Sequence, residues 1–257
     1  MNNILAYVQL GDKNSENTLV FLHGSTMTKE GMLPLAEEFE AYNCISLDLT
    51  AHGESGGELP KSISDIAEDV ENTIEHLRKM NIIQEKVILL GYSMGGAITC
   101  EVALRKKIKT NGIVFLGSGA DLKHYTPAVD QLKEMPVEDF KTKDILDFLF
   151  GDLVDKSEED RIKNAFLETK VSDEIGYNDL MISNAYDCID KAKNIDCPTL
   201  LVHGCEDKIV LPATAVETWK QIQNSQLLMM PYGGHALIYE DTTIVAEKIK
   251  GFVEKVL

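Results

Sequence analysis

The chain has 257 residues, of which 44% are hydrophobic, and this is sufficient for one large buried core. Its 42 acidic and 25 basic side chains give a formal net charge of −17. Because so acidic a surface repels phosphate backbones and anionic lipids, neither nucleic-acid binding nor membrane insertion is expected. No apolar run approaches the roughly 18 residues of a membrane span, and the first residues lack the basic and apolar segments of a signal peptide.

The predicted elements alternate, in chain order, between short apolar strands and amphipathic helices. This alternation is typical of an α/β fold with a mostly parallel sheet and helices on both faces. Helices are predicted over 30–42, 62–79 and 96–104, and from residue 241 onward. The predicted strands are 19–22, 44–49, 87–90, 112–117, 199–203 and 226–230.

The segment 121–195 interrupts this alternation, since it contains no strand-like run and its pattern predicts several short helices. One helix is predicted to open at Pro136, and Ser157 begins a capping-box pattern for another. A third is expected to place Met181, Ala185 and Ile189 about a turn apart. We therefore expect a core formed by 1–120 and 196–257, with 121–195 as a helical insertion.

The sequence Gly91-Tyr92-Ser93-Met94-Gly95 joins the 87–90 strand to the following helix. A sharp turn from a strand into a helix holds a serine hydroxyl out at the edge of a sheet, and flanking glycines avoid collisions there. Ser93 is therefore a candidate nucleophile. A hydroxyl is a poor nucleophile near neutral pH, so it needs a base, and the base needs a carboxylate that fixes its tautomer.

His235 is the candidate base, because it lies in a glycine-containing loop after the last predicted strand. Asp207, in the loop after the 199–203 strand, is the candidate carboxylate, and Asp121 is its rival. His203 ends a core strand, where a structural histidine is more common than a base. The six histidines considered are His23, His52, His76, His124, His203 and His235.

An oxyanion formed at the reacting carbonyl needs two backbone N–H donors. The residue after the nucleophile, Met94, would supply one from the helix N-terminus. The other is expected from Ser25, in the loop after the 19–22 strand. Acyl transfer needs only these groups, so no metal and no organic cofactor are expected.

These motifs together resemble the α/β-hydrolase family, in particular its carboxylesterase- and lipase-like serine hydrolases, over essentially the whole chain. The matching stretches are His23-Gly24, 48–55 (a D-x-x-x-x-G-x-S loop), 91–96, 204–210 and Gly234-His235. The resemblance implies that 121–195 is a cap inserted between core strands six and seven. It also implies that Asp48 and His52 shape a loop.

The expected function is therefore hydrolysis of carboxylic esters with small to medium acyl chains, acting on a small-molecule acyl ester. Serine at 93 argues against the dehalogenase and epoxide-hydrolase branches, which use aspartate there. A C–C bond hydrolase or lyase, or a thioesterase, could use the same triad. Ala97 stands where menaquinone-pathway lyases often have arginine. A catalytically weak small-ligand-binding protein is the alternative from another class.

The five cysteines are scattered, odd in number and without C-x-x-C spacing. That pattern predicts neither a disulfide framework nor a zinc site, and it favours a reducing compartment. We therefore expect a cytoplasmic protein.

Overall fold

The protein is described by a computed structural model that covers residues 3–123 and 135–257. Seven strands form one sheet in the order β1-β3-β2-β4-β5-β6-β7, and every neighbouring pair is parallel except β1 and β3. The predicted α/β fold, with a mostly parallel sheet, is confirmed. The strands are β1 Tyr7–Gly11, β2 Asn17–Leu22, β3 Asn43–Leu47, β4 Lys86–Tyr92, β5 Gly112–Leu116, β6 Thr199–Gly204 and β7 Ser225–Met230.

The six predicted strands all form, whereas β1 has no counterpart among the predicted strands. Strand β5 is buried along its whole length, which explains its continuous apolar run. By contrast, β1 is an antiparallel edge strand with only half-buried or exposed residues. It therefore lacks the buried apolar run that marks the others.

Helices cover both faces of the sheet, and Ser62 caps the second of them by accepting a hydrogen bond from the Asp65 amide (3.2 Å). The described α-helices are α1 Leu33–Ala36, α2 Ile63–Lys79, α3 Met94–Arg105, α4 Lys156–Glu168, α5 Asp173–Asn184, α6 Pro212–Gln221, α7 Leu237–Glu240 and α8 Thr242–Val256. Short 3₁₀ helices lie at Lys29–Met32, Glu37–Phe39, Thr142–Phe148 and Ile189–Asn194.

The helical insertion lies between β5 and β6, and its described part contains α4, α5 and two of the 3₁₀ helices. In the family's strand numbering this position lies between core strands six and seven, as the resemblance implies. The loop 48–55, which follows the family's fourth strand, follows β3 here, so this sheet has one strand fewer before it. The boundaries at 121 and 195 remain predictions, and His124 lies outside the described residues.

Two predicted helix starts inside the insertion are wrong. Pro136 opens a turn rather than a helix, since the Asp139 amide donates to the Pro136 carbonyl (2.9 Å) and the regular element starts only at Thr142. Asp155, not Ser157, caps α4, because its carboxylate accepts hydrogen bonds from two amides of the first turn. A carboxylate is favoured at that place by the helix dipole as well as by the hydrogen bonds.

Candidate active site

Ser93 lies at the tight turn between β4 and α3, with backbone angles φ 51° and ψ −118°. A non-glycine residue in this region is strained, and such strain is typical of functional sites. The turn is possible only because its neighbours have no side chains. A Cβ at Gly91 would lie 2.1 Å from the Gly95 carbonyl oxygen, and one at Gly95 would lie 2.1 Å from the Leu22 carbonyl oxygen.

The structure brings together the three side chains that the sequence assigns to a triad. His235 Nε2 lies 3.0 Å from Ser93 Oγ, and His235 Nδ1 lies 2.8 Å from Asp207 Oδ2. The parallel sheet explains the meeting, since β4, β6 and β7 all end at the same edge and each carries one of these residues just beyond its end. Asp207 and His235 are both buried, which protects their hydrogen bond from water.

Asp207 is held by more than the triad histidine. Its Oδ1 accepts hydrogen bonds from the amides of Ile209 and Val210, both at 2.9 Å. His203 Nε2–H donates to the Val210 carbonyl (2.9 Å) and lies 3.3 Å from Asp207 Oδ2. Burial lowers the pKa of His203, so this histidine stays neutral and has a structural role.

Asp121, the alternative candidate for the triad carboxylate, makes contacts elsewhere. Its Oδ1 accepts a hydrogen bond from the Lys123 amide (2.8 Å), and its backbone bridges that of Asp187 in the insertion. The Nδ1 partner of His235 is therefore Asp207.

Three further residues support the site and were missed by the sequence. The Tyr92 ring packs against the His235 ring at 5.2 Å, and its hydroxyl donates to the His235 carbonyl (3.2 Å). Ser118 Oγ donates to the Ser93 carbonyl (2.7 Å). Glu240 accepts hydrogen bonds from two amides, one in the His235 loop and one in the insertion. Only the position of Tyr92, inside the G-x-S-x-G turn, could have indicated such a role.

The candidate oxyanion donors lie where the sequence predicts them. Met94 is the first residue of α3, whose leading amides have no carbonyl partner inside the helix. Ser25 lines the same cavity as Ser93 and His235. Acyl transfer requires two such backbone donors, and the assignment of Met94 and Ser25 to this role remains a prediction.

The cavity over Ser93 is small and mostly apolar. Its volume is about 30 Å³. The described residues that line it include no acidic or basic side chain other than the triad histidine. Its apolar wall consists of Ile145, Leu146, Leu149, Phe166, Leu180 and Ile209.

His23, beside the candidate oxyanion loop, makes folding stability sensitive to acid. Its Nδ1–H donates to the Gly24 carbonyl (2.8 Å), and its Nε2 accepts from the Leu49 amide (3.1 Å), so the ring is neutral. Burial holds the pKa of His23 well below its usual range. Below about pH 6.5 the unfolded chain therefore binds a proton at His23 that the folded chain does not bind. The free energy of unfolding decreases as the pH falls.

We expect this single histidine to account for about 1.4 kcal/mol of the loss in unfolding free energy between about pH 7.5 and 5.5. Urea unfolding at the two pH values measures it: the loss should shrink by that amount in His23→Gln. The exposed His76, changed to Gln, is the control. An unchanged loss in His23→Gln would contradict the neutral, buried state of His23.

A sequence model of the family described as serine aminopeptidase, S33, matches residues 13–242. The chain belongs to this family. It is therefore an α/β-hydrolase of the serine hydrolase type, as the resemblance of its motifs implied.

Relatives within this fold have several activities. Lipase 1 of Psychrobacter immobilis is 27% identical over 261 residues, which cover 96% of this chain and 80% of the lipase. Proline iminopeptidase of Saccharolobus solfataricus is 26% identical over 95% of this chain and 87% of that protein. The solved structure of a lipase-esterase related protein from Clostridium acetobutylicum superposes with a TM-score of 0.86 at 31% identity, covering 97% of this chain and 99% of that one.

Among residues 3–123 and 135–257, no helix is both long enough and apolar enough to cross a membrane.

Proposed function

We propose that this member of the S33 family hydrolyses carboxylic esters with small to medium acyl chains. The observation that carries the proposal is the continuous hydrogen-bonded series from Ser93 through His235 to Asp207, with distances of 3.0 and 2.8 Å. A serine, an imidazole and a buried carboxylate in this order form the arrangement that activates a hydroxyl for attack on an acyl carbonyl.

In the proposed mechanism, Ser93 Oγ attacks the carbonyl carbon while His235 Nε2 takes its proton. Asp207 accepts from Nδ1–H, which leaves Nε2 free as the base and stabilises the imidazolium that forms. The amides of Met94 and Ser25 stabilise the tetrahedral oxyanion. His235 then protonates the leaving alcohol. It next activates a water molecule, which releases the acid and restores Ser93.

The cavity favours an uncharged ester over a peptide with a free amino terminus. An ammonium group buried beside the scissile bond needs a carboxylate partner, because an unpaired buried charge is strongly unfavourable. The cavity wall is apolar and, among the described residues, offers no carboxylate. Its small size favours short or medium acyl chains over long ones.

The direct experiment is the initial rate of hydrolysis of p-nitrophenyl esters from acetyl to lauroyl. Turnover with an optimum at short or medium chains supports the proposal and measures which acyl chain length the site accepts. Without turnover, labelling of Ser93 by a fluorophosphonate would instead favour thioesters or C–C bonds, which the same triad can cleave. Absence of both turnover and labelling would favour a small-ligand-binding protein.

Phe166 is expected to limit the acyl chain length. Its ring lines the cavity and packs on the Tyr239 ring at 4.9 Å, with 5% of its surface exposed. In Phe166→Ala the optimum should move to longer esters. Each additional methylene that becomes buried contributes about 0.8 kcal/mol, or roughly fourfold in kcat/KM.

The matched control is Leu167→Ala, because Leu167 is the next residue on the same helix and is 38% exposed. Its optimum should equal that of the wild type. If Phe166→Ala also keeps the wild-type optimum, Phe166 does not bound the acyl site.

We also propose that the enzyme acts in the cytoplasm. All five cysteines are free thiols, and Cys205 is exposed beside the loop that carries Asp207. Free thiols of this kind persist in a reducing compartment.

A further inference from the structure

A buried carboxylate of the insertion reaches the loop that carries Ser25. Asp179, on α5, has no exposed surface. Its Oδ2 accepts a hydrogen bond from the Thr26 amide at 2.8 Å and lies 2.9 Å from His52 Nε2. One oxygen atom therefore joins the cap helix, the candidate oxyanion loop and the loop that follows β3.

Both ring nitrogens of His52 face oxygen acceptors. Nδ1 lies 2.8 Å from the Thr50 carbonyl, which can only accept, and Nε2 faces the Asp179 carboxylate. Both nitrogens therefore carry protons, and the ring is an imidazolium. Although burial alone would lower it, the neighbouring Asp179 raises the pKa of His52 above its usual value.

Burying the Asp179–His52 ion pair has a large desolvation cost. Both side chains are fully buried, and Asp179 Oδ1 has no hydrogen-bond partner among residues 3–123 and 135–257. A buried pair with an unsatisfied oxygen is weak evidence for stability, because desolvation can exceed the attraction. The arrangement is more readily explained by what it holds in place.

Asp179 holds the strained backbone of Thr26 in place. Thr26 has φ 69°, a conformation that costs a β-branched residue on the order of 1–2 kcal/mol. Both backbone groups of Thr26 bind the insertion: its amide donates to Asp179, and its carbonyl accepts from the Val171 amide (2.9 Å). The helix comes this close because residue 176 is glycine; a Cβ there would lie 2.9 Å from Thr26 Cγ2.

We infer that Asp179 is a positioning residue: it fixes the Ser25–Thr26 peptide, and this restrains the Ser25 backbone so that the N–H of the adjoining Gly24–Ser25 peptide faces the oxyanion. Without this bond, Thr26 can relax to a negative φ, and the Ser25–Thr26 peptide turns and displaces the Ser25 amide. The inference rests on the proposed function, and it adds that the cap completes the oxyanion site of the core.

The test compares Asp179→Asn with Asp173→Asn. Asparagine keeps the size of the side chain but cannot hold the protonated His52 and the Thr26 amide on one charged oxygen. Asp173 lies on the same helix, and its Oδ1 accepts from the amide and hydroxyl of Thr142, both within the insertion. It is therefore a matched control for general damage to the cap.

For Asp179→Asn we expect kcat to fall about 10- to 100-fold with KM nearly unchanged, since removing a whole oxyanion donor costs about 10² to 10³. The dissociation constant of a trifluoromethyl ketone, whose hemiketal oxygen occupies the oxyanion site, should rise in parallel. Asp173→Asn should leave both values close to the wild type. An equal loss in both variants, or an unchanged dissociation constant in Asp179→Asn, would overturn the inference.

Two measurements keep the inference testable if the wild type hydrolyses no ester. The rate at which a fluorophosphonate labels Ser93 depends on the same oxyanion amides and needs no ester. Hydrogen exchange of the 23–27 backbone needs no ligand at all. Slower labelling and faster exchange in Asp179→Asn and Gly176→Ala, but not in Asp173→Asn, would support the positioning role while the ester proposal failed. Unchanged labelling and exchange would refute the role.

Discussion

Replacing Ser93 with alanine is expected to lower kcat for ester hydrolysis by at least about 10⁴-fold, because losing the nucleophile removes the acyl-enzyme route entirely. The hydrogen bond from the Ser93 hydroxyl to His235 Nε2 disappears, and alanine offers no hydroxyl in its place. Initial rates on the preferred p-nitrophenyl ester measure the effect. The unfolding midpoint should change little, because Ser93 is only partly buried.

The control is Ser157→Ala, which makes the same chemical change at an exposed serine of α4. It should retain wild-type rates. Residual activity of Ser93→Ala within tenfold of the wild type would rule out the triad, since catalysis would then come from another group.

Replacing Asp207 with asparagine is expected to lower kcat by about 10⁴-fold while the fold is retained. An amide at 207 can donate to His235 Nδ1, which favours the tautomer with the proton on Nε2. That tautomer cannot accept the Ser93 proton. Rates and circular dichroism spectra measured together separate this loss from unfolding.

Asp121→Asn provides the comparison, because Asp121 lies beyond β5 and is the alternative candidate for the triad carboxylate. Its carboxylate serves its own loop through the Lys123 amide, so kcat should remain within about threefold of the wild type. If Asp121→Asn lowered kcat more than Asp207→Asn, the triad carboxylate would be Asp121, and its assignment to Asp207 would be wrong.

The sequence predicted the parts of the fold whose signal is local. Strands such as β5 are buried on both faces and leave an unbroken apolar run, whereas β1 is a half-buried edge strand whose pairing with β3 no local pattern reveals. The cap of α4 was misplaced by two residues because Asp155 and Ser157 are both suitable caps. Which of them begins the helix is decided by the approach of the preceding chain.

The residues of the candidate site also divide into those with a local sequence signal and those without one. Ser93, Asp207 and His235 each follow a strand, so parallel strands bring them to one edge and their meeting could be predicted. Asp179 could not be predicted, because it lies 127 residues from its partner His52 and within a helix that carries no motif. Glu240 likewise accepts a hydrogen bond from the Gly151 amide of the insertion, 89 residues away in the sequence. Contacts of this kind depend on how the insertion packs on the core.

The most direct test of the central claim is to trap the acyl-enzyme. Rapid mixing with a p-nitrophenyl ester, followed by acid quench and peptide mass analysis, reports both the burst of p-nitrophenol and the acylated residue. We predict a burst equal to the concentration of active enzyme, with the acyl group on Ser93. Turnover without an acyl group on Ser93, or with the acyl group on another residue, would contradict the proposed mechanism.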